Sequence, residues 1–101
     1  MFKITIGEQE GKLVAILVGD LDNAASTEAA RGFEPVFEYT NGDVVVDCTE
    51  LNYISSSGMR IFLNVYKHTH GNGHRVILKG LTDDVREVLT LGGFLQLFMT
   101  E

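Results

Sequence analysis

The sequence predicts an α/β fold: a single small domain spanning residues 1–101, in which a mixed sheet of about five strands is flanked by three to four helices. Three observations predict it. The chain has 101 residues, which is the size of one domain. Two apolar segments at its start, separated by a polar turn, are typical of a β-hairpin. The rest of the chain alternates apolar runs with helical patterns, as in sheets with parallel neighbours.

The N-terminal hairpin is predicted from the spacing of apolar residues. Residues 2–6 alternate apolar and polar side chains, which is the period of a half-buried strand. Residues 7–12 are polar and predict a turn, and residues 13–18 are apolar throughout and predict the second strand. We expect this strand to break at residues 19–23.

The segment after the hairpin predicts a helix that is broken in its middle. Asp22 or Asn23 is suited to cap its start, because a short polar side chain accepts a bond from a free backbone amide. Gly32 and Pro35 both disfavour a helix interior, and proline also lacks the amide proton. We therefore expect a kink or split near residues 32–35 and an end at Asn41-Gly42.

The remainder of the chain predicts three strands and two helices in alternation. The β-branched run at residues 44–46 is typical of a central strand covered on both faces. In order, the elements are this strand, a helix from residues 55–58 to about His70, a strand at 75–79, a helix from Thr82 to Leu91 and a strand at 94–98.

Charge and cysteine content exclude several classes of protein. The chain has 8 Lys and Arg against 14 Asp and Glu, a formal charge of −6, and its basic residues are scattered singly. Nucleic acids and anionic membrane surfaces need clustered cations, so we expect no direct nucleic-acid binding. The longest apolar stretch, residues 13–18, is far shorter than a membrane span, so we expect no membrane insertion. Cys48 is the single cysteine and cannot form an internal disulfide, which favours a reducing, cytoplasmic location.

The usual motifs of catalysis and cofactor binding are absent from the sequence. It has no glycine-rich nucleotide motif and no G-x-S-x-G elbow. His68 and His70 are two positions apart on a predicted helix, so they point in different directions, and with His74 they do not suggest a metal site. Cys48 is expected to be a small buried side chain. We expect no catalytic residues, no cofactor and no metal.

A cluster of three serines at a predicted helix start is the most informative feature. Ser55, Ser56 and Ser57 precede Gly58. A serine here can simply cap the helix. It can also be a phosphorylation site, because free amides and the positive end of the helix dipole would hold a phosphate. The residues alone leave both interpretations open.

The helix that follows the serines carries two apolar stripes. The stripe expected to face the sheet comprises Gly58, Ile61, Phe62 and Val65. The second stripe lies to its side and comprises Met59, Leu63 and Tyr66. Either a neighbouring helix covers this second stripe, or it is a partly exposed docking patch beside the serines.

At these residues the chain resembles the STAS domain family (sulfate transporter and anti-sigma factor antagonist), in its small stand-alone bacterial form. The family motif D-x-x-x-L-x-x-[IM]-D-S-S-G-[LM] corresponds to D-C-T-E-L-N-Y-I-S-S-S-G-M at residues 47–59. The family's G-[ED]-L-D turn corresponds to residues 19–22, and its C-terminal helix with a glycine stop corresponds to residues 85–94. The resemblance covers essentially the whole chain.

The resemblance implies an anti-sigma factor antagonist in a partner-switching circuit that regulates transcription. Its partner would be an anti-sigma factor with serine kinase activity, and a phosphatase would reverse the modification. In the family the serine after the motif aspartate is phosphorylated, and the matching residue is Ser56. The usual aspartate is Ser55 here, which makes Ser55 a rival acceptor. The turn aspartate, Asp22, would lie close to the acceptor and support recognition.

The residues expected to bind the partner are Asp22, Ser55, Ser57, Gly58, Met59 and Leu63. An alternative within the same family is an accessory subunit of a lipid or anion transport complex without a phosphorylation cycle. The missing aspartate favours this alternative, and the serine cluster favours the switch. A small enzyme is the third possibility, but nothing in the sequence supplies a nucleophile, a base and an oxyanion site together.

Overall fold

In the computed structural model, which describes residues 1–101, a five-stranded mixed sheet carries helices packed against it. The strands are β1 (Phe2–Gln9), β2 (Lys12–Leu21), β3 (Val44–Ile54), β4 (Val76–Lys79) and β5 (Met99–Thr100). The helices are α1 (Ser26–Gly32), α2 (Glu34–Glu38), α3 (Ser56–Gly71) and α4 (Asp83–Leu91), and a short 3₁₀ helix spans Leu95–Leu97. The strands lie in chain order across the sheet; β1 is antiparallel to β2, and all other neighbours are parallel. The predicted α/β class and five-stranded mixed sheet are confirmed.

The hairpin is longer than predicted at both strands. Glu10 and Gly11 form its turn with φ of 53° and 78°. β2 ends at Leu21, within the predicted break at residues 19–23, but it passes through Gly19 and does not stop at residue 18. Gly19 has a φ of 99°, and a Cβ at this position would overlap the carbonyl oxygen of Met1. Glycine therefore lets the strand pass close to the chain start without ending it.

The predicted split of the first helix is confirmed, and the predicted cap is wrong. α1 and α2 are separated at Phe33, and Pro35 lies in the first turn of α2, where its missing amide proton has no helical partner to lose. The N-cap of α1 is Ala25, without a side-chain hydrogen bond. Asp22 instead forms the preceding turn, in which its Oδ1 accepts from the backbone N–H of Ala25 at 2.8 Å. α2 ends at Glu38, before the predicted Asn41-Gly42.

One face of the sheet carries the core, and the other face is open. In β3 the side chains of Val44, Val46 and Cys48 are buried, whereas Val45 is only half-buried. On the same open face, Ile16 of β2 is 40% exposed. The prediction that the central strand is covered on both faces is wrong, because a run of three valines has no polar residue to mark the solvent side.

Cys48 is a buried side chain, as the sequence indicated. Burial, with a smaller contribution from the nearby Asp47 carboxylate, raises the pKa of the Cys48 thiol to about 12. The thiol is therefore protonated and unreactive at neutral pH.

In the C-terminal region the predicted last helix is confirmed and the predicted last strand is wrong. Thr82 caps α4, accepting from the backbone N–H of Val85 at 3.3 Å. The predicted strand at residues 94–98 is wrong, since residues 95–97 form a 3₁₀ helix and β5 is only Met99–Thr100. The apolar residues 94, 95, 97 and 98 fit one turn of a helix as well as they fit a short strand. None of the helices combines the length and apolarity that crossing a bilayer requires.

Candidate functional site

The serine cluster lies where the carboxyl ends of β2 and β3 meet. Leu21 and Ile54 are paired as the last residues of these parallel strands. The backbone N–H of Ser55 then donates to the carbonyl oxygen of Leu21 at 2.8 Å. This contact places the start of α3 directly beside the loop between β2 and α1.

Ser55 is the N-cap of α3 and is buried, at 6% exposure. Its Oγ accepts from the backbone N–H of Gly58 at 3.1 Å. This bond satisfies one of the amides that have no partner at a helix start. The capping interpretation of the serine cluster therefore applies to Ser55.

Ser57 connects the helix start to the β2–α1 loop. Its hydroxyl donates to Oδ1 of Asn23 at 2.6 Å. The Oγ atoms of Ser55 and Ser57 are 3.0 Å apart. Because the single proton of Ser57 goes to Asn23, Ser55 is the donor in this second bond. The three side chains form one hydrogen-bonded chain from the cap to the loop.

Asn23 is a site residue whose role the sequence did not indicate. It lies 34 positions before Ser57. The sequence suggested it only as an alternative cap of the first helix. The pairing of Leu21 with Ile54 brings the two segments together. In the sequence, the only feature that could have indicated a role for Asn23 in the site is its position just after β2.

Ser56 differs from both neighbouring serines. It is the first residue of α3 and is exposed, and its hydroxyl makes no hydrogen bond within the protein. The first turn of α3 contains no acidic residue. Arg60 lies one turn further along the helix and is also exposed. Ser56 therefore presents a free hydroxyl near a cation and the positive end of the helix.

Asp22 lies exposed in the loop that reaches the serine cluster. Its carboxylate accepts from the backbone N–H of Ala25, so it shapes the loop. The side chain that contacts the serines is that of the next residue, Asn23.

Gly58 is buried beneath the serines. A Cβ at this position would lie 2.8 Å from Cγ of Leu21 and 2.9 Å from Cγ1 of Ile54. Such distances are shorter than van der Waals contact, so a larger residue would push α3 away from the two strands. Gly58 thus fixes the position of the serines.

The second apolar stripe of α3 is partly covered along its length. Met59 is half-buried, and its sulfur lies 3.2 Å from the position that a Cβ on Gly92, after α4, would take. Tyr66 stacks on His70, with centroids 5.2 Å apart, and meets Phe98 edge-on. Leu63, between them, is half-buried and lies outside the core cluster.

The three histidines contact three different partners. Nε2 of His68 lies 3.1 Å from the carbonyl oxygen of Tyr39, and Nδ1 of His74 lies 3.7 Å from the Asp43 carboxylate. His70 stacks on Tyr66. No group of three metal-ligating side chains is close enough to share an ion.

Comparison with known proteins points to one family. The STAS domain family matches residues 3–101. The anti-sigma factor antagonist BtrV of Bordetella bronchiseptica is 32% identical over 96 residues, which cover 95% of this chain and 83% of that protein.

Solved structures show the same fold at lower identity. An anti-sigma factor antagonist from Mycobacterium paratuberculosis has a TM-score of 0.84 at 17% identity, covering 99% of this chain and 85% of that one. The Bacillus cell fate determinant SpoIIAA in its phosphorylated form has a TM-score of 0.73 at 18% identity, covering 98% and 91%. SpoIIAA in its unphosphorylated form has a TM-score of 0.80 at 20% identity, covering 98% and 88%.

Proposed function

The chain belongs to the STAS domain family, and from this membership we propose that it is an anti-sigma factor antagonist controlled by phosphorylation of Ser56. The unphosphorylated form binds an anti-sigma factor that is also a serine kinase, and this frees the sigma factor. Phosphorylation releases the antagonist, and a phosphatase restores it. The names of the relatives favour this function over that of a transport accessory subunit.

The observation that carries the proposal is the contrast among the three serine hydroxyls. The Ser55 hydroxyl is buried and occupied by the helix cap, and the Ser57 hydroxyl is bonded to Asn23. Ser56 alone is exposed with an unengaged hydroxyl. A kinase must bring the γ-phosphate of ATP in line with the acceptor oxygen, and Ser56 permits this without breaking the cap. Ser55 is therefore the poorer acceptor.

The phosphorylated helix start would keep its fold. Transfer joins the γ-phosphoryl group to Oγ of Ser56, whose proton is lost, and ADP leaves. The phosphate adds roughly −1.5 to −2 charge at neutral pH. It would sit at the positive end of the α3 dipole, and Arg60 at the next turn can pair with it.

The same charge would oppose binding of the partner. Met59 lies three residues after Ser56 and Leu63 seven, so all three are on one side of α3. Both apolar side chains are half-buried in the free protein and have area left to bury. An interface that covers them would have to remove water from the phosphate, which is costly without a matching cation in the partner.

The proposal is tested with a serine-kinase-type anti-sigma factor encoded beside this gene. The chain is incubated with it and ATP, and the phosphate is located by tandem mass spectrometry. We expect modification of wild type and of Ser55→Ala, and none of Ser56→Ala. Ser55→Ala tests the rival acceptor; because it also removes the bond that caps α3, its urea midpoint is measured to show that it remains folded. Phosphate on Ser55 in the wild type, or an unmodified protein with an active kinase, would refute the assignment.

A further inference from the structure

A cleft of about 270 Å³ lies between the carboxyl end of β3 and α4. Its strand side comprises Asn52, Tyr53 and Ile54, and its helix side comprises Asp84, Glu87, Val88 and Leu91. The four helix residues follow the spacing i, i+3, i+4 and i+7, so they share one face of α4. The buried residues of the helix are Val85 and Leu89, which lie on the adjacent face. The cleft therefore lies beside the core-facing side of α4, and Val88 is at the boundary between the two.

Two large apolar side chains at this cleft are exposed to solvent. Leu91 is 80% exposed and Tyr53 is 49% exposed. They lie on different elements but line the same cleft. A partner side chain placed between them would bury apolar area on both, and tyrosine is among the residues that contribute most at interfaces.

The charged groups that line the cleft are all acidic. Asp84 and Glu87 line it, and no lysine or arginine does. Neither carboxylate takes part in an ion pair within the protein. The whole chain carries a formal charge of −6, so its field also attracts cations. The complementary partner segment is basic.

The cleft is continuous with the surface around the serine cluster. Tyr53 precedes Ser56 by three residues at the end of β3. On the other side, Met59 of α3 packs beside Gly92, which directly follows Leu91. A partner that covers Ser56 and Met59 therefore reaches the cleft without leaving the protein surface.

We propose that this cleft is a second docking contact for the anti-sigma factor. It takes a basic segment of that partner and one of its aliphatic or aromatic side chains, inserted between Tyr53 and Leu91. The identity of the partner rests on the proposed function, but the chemistry of the segment follows from the cleft alone. Because the cleft does not include Ser56, its apolar contact adds affinity whether or not Ser56 is phosphorylated.

The chemistry is tested first with synthetic peptides and nuclear magnetic resonance of the full chain. Three peptides of about 15 residues, long enough for a marginal helix, are titrated into the labelled protein. One carries leucines flanked by lysines, one has alanine in place of leucine, and one has glutamate in place of lysine. We expect saturable shifts at Tyr53 and along α4 with the leucine–lysine peptide only. No saturation, equal shifts with another peptide, or shifts centred on the open sheet face at Ile16 would overturn the proposal.

Variants then assign the contact to particular side chains. Leu91→Ala should weaken binding of the leucine–lysine peptide about fivefold or more, which corresponds to a loss of about 1 kcal/mol. Glu87→Gln should weaken it less and reduce its dependence on salt. Two variants are controls. Ile16→Ala removes an exposed apolar side chain on the open sheet face, and Glu34→Gln removes a carboxylate on α2. Both should leave the affinity for the leucine–lysine peptide unchanged. Equal losses in the Ile16 and Leu91 variants would refute a specific cleft.

The same variants are measured against the anti-sigma factor encoded beside the gene. Leu91→Ala should lower affinity for that partner by a similar factor in both the unphosphorylated and the phosphorylated protein. If Ser56 is not phosphorylated but the cleft binds the peptide, the proposed function fails and the docking contact stands. If Ser56 is phosphorylated and Leu91→Ala leaves both affinities unchanged, the docking contact fails and the switch stands.

Discussion

Phe62 and Leu63 are neighbours on α3 and provide a direct test of which face of this helix is core. Phe62 is 1% exposed and meets Phe33 and Phe98 edge-on, with both pairs of ring centroids 6.4 Å apart. Truncation of a buried phenylalanine to alanine removes its apolar burial and leaves a cavity, which typically costs about 3–5 kcal/mol. Two aromatic pairs worth about 0.5–1.5 kcal/mol each are part of that loss.

Leu63 differs from Phe62 in burial but not in secondary structure. It is half-buried and lies outside the core cluster. A fully buried leucine loses about 2–5 kcal/mol on truncation, so Leu63→Ala should cost less than about 2 kcal/mol. Both substitutions replace a helix residue by alanine, the best helix former, so helix propensity does not explain a difference between them.

The two variants are compared by urea unfolding and by binding to the anti-sigma factor. With a slope of about 1–3 kcal/mol per molar urea, Phe62→Ala should lower the midpoint by about 2 M and Leu63→Ala by less than about 1 M. Leu63→Ala should instead weaken binding by more than about 1 kcal/mol. If Leu63→Ala is as destabilising as Phe62→Ala, or leaves binding unchanged, the docking role of this stripe is wrong.

Three further predictions concern the serine cluster and the buried thiol. Asn23→Ala should lower the free energy of unfolding by about 0.5–1.5 kcal/mol, because Ser57 loses its acceptor; a urea midpoint equal to that of wild type would contradict this. Ser56→Asp should keep the fold yet weaken binding to the anti-sigma factor, whereas Ser56→Ala should retain binding; equal affinities in calorimetry would exclude a charge-based switch. The pKa of Cys48 is raised to about 12, so the stability that its neutral thiol contributes is complete below about pH 9 and is lost as pH rises towards 12. Urea unfolding across this range should show a smaller fall in stability for Cys48→Ala, and parallel curves would contradict the raised pKa.

The order of strands and helices followed from local features of the sequence. The split near Pro35 depends on the missing amide proton of proline, and the cap at Thr82 depends on a side-chain hydroxyl; both act wherever such a residue occurs. Gly19 shows where this reasoning fails. A glycine with positive φ can end a strand or let it bend past another segment, and only the position of Met1 decides between the two.

The sequence predicted the helix start that forms the candidate site, but it did not predict the tertiary contacts of that site. A serine cluster before a glycine and an apolar helix indicates a cap, and Ser55 is that cap. The three serines have different roles: one caps the helix, one bonds to Asn23 and one stays free. These roles depend on the pairing of β2 with β3. The cleft beside Tyr53 likewise forms only because α4 packs against β3. The sequence of neither segment indicates this packing.

Ser55 at the position where the family usually has aspartate changes the electrostatics of the proposed switch. The cap itself is kept, because the serine hydroxyl accepts from the amide of Gly58 at 3.1 Å. An aspartate would place one negative charge in the helix start before any modification, whereas here the first turn is neutral. The proposed phosphorylation of Ser56 would take this turn from neutral to roughly −1.5 to −2. Since no carboxylate repels the phosphate within the turn and Arg60 lies one turn away, the modified form is held more favourably in this chain than beside an aspartate. Asp22 and Arg60 are present in both states, so the partner must distinguish the two states by the charge that the phosphate adds at the first turn of α3.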